Sequence, residues 1–144
     1  MNMRTRQGGV ALIEVMIAVI ILAIGVLGAV GLQAKSLAAL SNAGARVDAT
    51  LAAEKAIALM TTDQTNLASY AWDSTVASTP PTVLGNWKTE TWAALPNATA
   101  VITVAPIAGS SATQVSITIG WQRRTGSADP VNSHTIVATV APTT

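Results

Sequence analysis

The amino-acid sequence predicts an α+β protein: one long amino-terminal helix packed against a small carboxy-terminal antiparallel sheet. Three observations carry this. No proline occurs before Pro80, and the stretch up to about Met60 is rich in alanine, leucine and isoleucine. Residues 61–85 then collect Thr, Ser, Asp and the Pro80-Pro81 pair, which break regular structure. The last third holds three runs rich in Val, Ile and Thr, separated by turn residues. With 144 residues, the chain has room for one modest domain, which must share that length with any membrane segment.

The first element is apolar enough to be an anchor. Residues 1–9, "MNMRTRQGG", carry Arg4 and Arg6 and no acid, and from Val15 to Leu32 no residue is charged. As a helix that run spans about 27 Å, close to a hydrocarbon core of about 30 Å. The positive-inside rule places Arg4 and Arg6 in the cytoplasm and everything after about residue 33 on the far side. A secretory signal has small residues after its apolar region. Here "AKS" (34–36) is a weak site of that kind, and the better one, Gly8-Gly9, precedes the run. A cut there removes the basic leader and leaves the anchor in place. Glu14 interrupts the apolar stretch that begins at Val10, just before this run, although a charge at the centre of a membrane helix costs roughly 2.5–3.5 kcal/mol on insertion scales and less near an end.

The stretch "GGVALIEVMIAVIILAIGVLG" resembles the class III signal of prepilins, shared by type IV pilins and type II secretion pseudopilins. The resemblance implies cleavage after Gly9, N-methylation of the new terminus at Val10, and an assembly role for Glu14 as the fifth mature residue. Val10 stands where the family usually has phenylalanine. Cleavage creates an α-ammonium at Val10, four residues from Glu14 and on the same helical face, and an acid in the first turn also suits the helix dipole. The family implies a further pairing of Glu14 with the amine of a neighbouring subunit. An unpaired carboxylate in apolar surroundings is costly and a paired one tolerable, so such a pair selects register. The plainer alternative is a glutamate that snorkels to the interface without a partner.

The helix is expected from about Leu12 to Met60, with Leu37, Leu40, Gly44, Val47, Leu51 and Ala58 as the stripe covered by the sheet. Lys35, Arg46, Asp48, Glu54 and Lys55 fall off that stripe. Gly25, Gly28 and Gly31 recur every third residue, each weakening a helix interior by about 1 kcal/mol relative to alanine. They either let helices approach closely in lipid or make the segment easy to bend. The alternative is that glycine is simply common in membrane helices. "LGAVGLQAKSLAAL" is similar to the PilV type of minor pilin, the type IV pilus modification proteins, which carry a similar "GLQ" after the membrane run. That group tends to show an Arg-Asn pair near the helix end; "LMTTDQTNLASYAW" lacks the arginine.

The expected organisation is a cleaved leader at 1–9, a transmembrane and assembly helix at 10–33, and an exported domain at 34–144. Within the last, the amphipathic helix runs to about 60 and a loop covers 61–85. A short helix at about 86–95 is capped by Asn86, with Leu84, Trp87, Thr91 and Leu95 on one side and Pro96 at its end. Strands are expected at 99–105, buried on both faces; at 114–122, with Val115, Ile117, Ile119 and Trp121 inward; and at 134–141. Trp87, Trp92 and Trp121 read as core, and Tyr70 and Trp72 as a contact surface in the loop.

Little in this domain suggests chemistry. There is no cysteine, so disulfides, a thiol nucleophile and thiolate metal sites are excluded. His134 is the single histidine, and Asp63, Asp73, Glu90 and Asp129 are scattered. No phosphate-cradling loop, nucleophile elbow or zincin pattern occurs. "NAT" (97–99) matches a glycosylation sequon. Net charge is near zero and Arg123-Arg124 is the only adjacent basic pair, so no nucleic-acid footprint is indicated. No enzyme activity, cofactor or metal is expected.

The expected function is a minor pilin of a type IV pilus, acting in filament initiation or a tip complex. A type II secretion minor pseudopilin shares the same layout. A single-pass anchored binding module that never polymerises is the reading of another class. The resemblance implies as partners the lipid bilayer, the prepilin peptidase/N-methyltransferase, an inner-membrane assembly platform, and other minor and major pilins. It places the precursor in the bacterial inner membrane and the mature subunit in a surface pilus.

Overall fold

The computed structural model describes residues 8–122 and 131–141; Arg4, Arg6, Arg123, Arg124 and Asp129 lie outside them. The elements run α1 (Gly8–Thr62), a 3₁₀ segment (Gln64–Tyr70), β1 (Trp72–Asp73), a 3₁₀ turn (Thr82–Leu84), α2 (Gly85–Ala94), β2 (Thr99–Pro106), β3 (Thr113–Trp121) and β4 (Asn132–Val140). The chain divides into two units, Met1–Asn42 and Ala43–Thr144.

The described residues of the first unit, 8–42, all belong to α1. Its side chains from Ala11 to Leu37 are all exposed, including Leu12, Ile17, Ile21, Leu27 and Leu32. Large aliphatic residues on every side of a helix satisfy lipid or other helices, not water.

The second unit is a four-stranded antiparallel sheet in the order β1-β2-β3-β4, covered by the last turns of α1 and by α2, an α+β arrangement. Registers are continuous from Thr99↔Gly120 to Pro106↔Thr113 and from Thr113↔Val140 to Trp121↔Asn132. Alternation along β3 buries Val115, Ile117, Ile119 and Trp121, as their spacing predicts. The turn between β2 and β3 passes through Gly109 at φ +77°, a conformation that side chains with a Cβ resist.

The helix meets this sheet through a different stripe from the one expected. Ala49, Ala52, Ala53, Ala56 and Met60 are buried, with Ala45 and Ile57 beside them. Leu37, Leu40, Gly44, Val47, Leu51 and Ala58 are all exposed. At 100° per residue the two stripes point to roughly opposite sides of the helix. The sheet and α2 already supply isoleucine, valine and tryptophan; alanine on the helix lets them close without overfilling, whereas leucine there would crowd them.

Three further expectations are corrected. β2 buries one face only: Ala100 and Ile102 are inside, while Thr103 and Ala105 are exposed. Its outer face has no covering layer among the described residues. The 61–85 loop contains β1, which pairs Trp72 with Ile102 and Asp73 with Val101. α2 begins at Gly85, with Leu84 at its N-cap and no side-chain cap, so Asn86 is not the cap. The 3₁₀ turn after Pro81 runs directly into the helix and makes a separate polar cap unnecessary. Leu84, Trp87, Thr91 and Leu95 do share the buried side.

Candidate functional site

Two regions bear on function: the amino-terminal part of α1 and the surface of the second unit. In the first, the helix is continuous from Gly8, so the peptide bond between Gly9 and Val10 lies in its opening turn. Glu14 is exposed on this helix, one turn beyond Val10. Gly25, Gly28 and Gly31 lie further along the unbroken helix, and a Cβ at any of them meets nothing within 4 Å. Nothing among the described residues fills the space beside them. The helix carrying these residues is long and apolar enough to cross a membrane, with a mean hydropathy of 2.9 in its most apolar window and none of that window buried.

In the second unit several polar side chains are engaged in holding the fold. The Trp87 indole N–H donates to the Ala52 carbonyl at 2.7 Å, fastening α2 to α1 where alanine leaves the backbone accessible. Lys88 Nζ sits 5.8 Å from the Trp72 ring centre and 5.7 Å from that of Trp92, and donates to the Ser78 carbonyl at 2.7 Å. The cation–π contact ties β1 to α2, and the bond to Ser78 ties the segment after β1 to the same helix. Tyr70 and Trp72, expected as a contact surface, are buried at 3% and 6% exposure. The Trp72 indole donates to the Ala77 carbonyl at 2.8 Å, and the Tyr70 hydroxyl to Asp63 at 3.3 Å. Burial, then the Asp63 carboxylate, raises the Tyr70 phenol above its ordinary pKa.

Three of the acids, Asp63, Asp73 and Glu90, are likewise engaged. Asp63 also accepts from the Asn66 amide at 2.7 Å, and Glu90 pairs with Lys55 at 2.9 Å on the surface. Asp73 accepts from both the hydroxyl and the backbone N–H of Thr75, at 2.6 and 2.8 Å. The hydroxyl bond first, then the backbone bonds, hold its carboxyl below the usual range. His134 is half-buried opposite Ile119. The sequon residue Asn97 adopts φ 49° and donates its amide nitrogen to the Gln122 carbonyl at 2.8 Å. Trp121 is buried with no partner for its indole N–H among the described residues.

A cavity of about 320 Å³ opens between α1 and α2, lined by Lys55, Ala58, Leu59, Thr62, Trp87 and Glu90. Its charged members, Lys55 and Glu90, neutralise each other, so it presents no nucleophile–base pair. No group of three potential metal ligands occurs among the described residues.

Residues 4–30 match the family model described as the prokaryotic N-terminal methylation motif. No curated protein and no solved structure matches the chain. The motif together with the exposed apolar helix indicates a membrane-anchored protein. It supports a prepilin-type chain, either type IV pilin-like or a pseudopilin, a class that is structural and not enzymatic.

Proposed function

We propose that this chain is a minor pilin of a type IV pilus, closest in kind to the PilV type, that enters filaments through its amino-terminal helix. The observation that supports this most is the methylation motif at residues 4–30, with Glu14 exposed at the start of an anchor that buries nothing of its own. The precursor sits in the inner membrane with its leader in the cytoplasm. The prepilin peptidase/N-methyltransferase cuts after Gly9 and methylates Val10. Release of the leader removes Arg4 and Arg6, which otherwise hold the amino terminus at the cytoplasmic face, and exposes an α-ammonium.

Extraction by the assembly platform moves α1 from lipid into a bundle of neighbouring helices. Glu14 then meets the amine of an adjacent subunit, and the attraction, strong where water is excluded, fixes the axial register. Gly25, Gly28 and Gly31 give that bundle room for close helix contact and a place to bend. The exposed stripe from Leu37 to Leu51 continues the same contact surface toward other minor and major pilins.

A type II secretion pseudopilin carries the same motif, and deletion separates the two. Loss of the gene is expected to reduce surface pili and twitching motility while exoenzyme secretion continues. Blocked secretion with normal pili reverses the assignment.

A further inference from the structure

The exposed residues Leu37, Leu40, Gly44, Val47 and Leu51 follow one another along α1 in alternating steps of three and four. That is the spacing by which two helices interlock along a common seam. Gly44 has open space where a Cβ would stand, so helices meeting here close in at that point. Glu54 takes the next place in the repeat and would set two carboxylates face to face, so the seam ends at Leu51.

Two charges border the seam. At 100° per residue, Asp48 lies on one margin of Val47 and Leu51, and Arg46 on the other. Asp48 is half-buried beside a cavity of about 170 Å³, next to Leu51, Thr91 and Ala94. Every other charged residue among the described residues of α1 is exposed. Neither the Asp48 carboxylate nor the Arg46 guanidinium has an ion pair or hydrogen bond among the described residues. Residues two apart on a helix do not face each other, so these two cannot pair within one chain.

We propose that α1 pairs along this seam with α1 of a second copy in the membrane, the two helices parallel. The direction comes from the anchor. Copies held in one bilayer by the same apolar segment point the same way and bring equal residue numbers to equal height. A two-fold axis running alongside the helices then sets the Asp48 margin of each against the Arg46 margin of the other. The paired charges differ by about 3 Å along the axis, and both pairs form at once. Ala43 and Thr50, which stand between Arg46 and the seam, are small. Thr50 also folds its hydroxyl onto the Arg46 carbonyl at 2.9 Å, leaving the guanidinium a path to the partner. A second copy thus covers the exposed leucines and brings Asp48 a cation at its own height. This pairing needs the anchor and not a filament, so it stands apart from the pilus assignment.

With no cysteine in the chain, one introduced thiol reports the contact. Purified full-length Val47→Cys chain is placed in phosphatidylcholine vesicles at a low protein-to-lipid ratio and oxidised. The two-fold brings Val47 of both copies together, and a covalent dimer is the expected product. Ala39→Cys, exposed but about 100° round the helix from the seam, is expected to give at least about fivefold less. Arg46→Glu, a change at an exposed side chain, is expected to lower the Val47→Cys dimer at least about threefold by facing Asp48 with a like charge. Made beside Asp48→Asn, the same change has no carboxylate to repel and is expected to lower it by less than about 1.5-fold. No dimer from Val47→Cys, equal dimer from Ala39→Cys, or an Arg46→Glu effect that persists beside Asp48→Asn overturns the proposal. So does a Val47→Cys cross-link found only in cell membranes and only to a different protein.

Discussion

Before Asn42, α1 presents aliphatic side chains on all sides and buries none of them; after Ala43, the same helix buries alanines under a sheet and leaves leucines outside. The difference teaches that two kinds of partner shape one helix. Lipid accepts large residues all round, because fluid hydrocarbon has no fixed outline. A folded sheet has a fixed outline, and a helix lying on it must match that outline with small residues. The outward leucines of the second part are left uncovered among the described residues. Under the proposed function they extend the contact surface begun in the first.

The largest effect that sharpens this contrast concerns the first region. Glu14→Ala is expected to leave membrane insertion intact, because an apolar substitution only strengthens the anchor. Incorporation into sheared filaments is expected to fall at least about tenfold, the factor that corresponds to about 1.4 kcal/mol. Equal incorporation of variant and wild type would remove the charge pair from the assembly mechanism.

In the second region, enlarging the alanine face should hurt. Ala53→Leu is expected to cost about 1–3 kcal/mol by overpacking, seen as a lowered denaturation midpoint of the tryptophan signal in detergent. Trp87→Phe, which removes the donor to the Ala52 carbonyl, is expected to cost about 0.5–1.5 kcal/mol by the same measurement. Leu51→Ala, on the outward stripe, is expected to change stability by less than about 0.5 kcal/mol. If Leu51→Ala instead costs more than Ala53→Leu, the assignment of the two faces is reversed.

The smallest effect is a pH dependence. The carboxyl of Asp73 is held below its ordinary pKa by Thr75, so its contribution to stability is present above about pH 4. It is lost as the pH falls through the depressed value in the folded state. Thr75→Val, which removes the hydroxyl bond and keeps the backbone one, is expected to lower stability above about pH 4 and to flatten the acid side of the profile, variant and wild type converging as the pH falls.

Much of the fold was legible because it follows from local patterns. The alternation of Val115, Ile117, Ile119 and Trp121 identifies a half-buried strand, and Leu84, Trp87, Thr91 and Leu95 identify one side of a helix. The helix face was not legible, because counting large aliphatic residues points to Leu37–Leu51, whereas the choice of alanines depends on the bulk arriving from the sheet. β1 escaped notice because two residues carry no periodicity, and its strand character comes from pairing with Ile102 and Val101. Tyr70 and Trp72 looked exposed for the same reason: their burial depends on 3₁₀ turns and on β2, distant in sequence. The amino-terminal motif was recognisable as a resemblance, since a glycine pair, a carboxylate four residues beyond Val10 and an uninterrupted apolar run coincide within one short segment, and residues 4–30 match the methylation motif; the roles of Gly9, Val10 and Glu14 rest on that resemblance. What Glu14 contacts was not readable, because no group within the described residues pairs with it.

The account rests most directly on how the amino terminus is processed, and intact-mass measurement of the membrane-extracted protein tests it. The predicted mass is that of a chain beginning at Val10 and carrying one added methyl group, with Gly9→Leu leaving the precursor uncut. A mass showing the leader retained in the wild-type chain, or a terminus beyond Lys35, would contradict it.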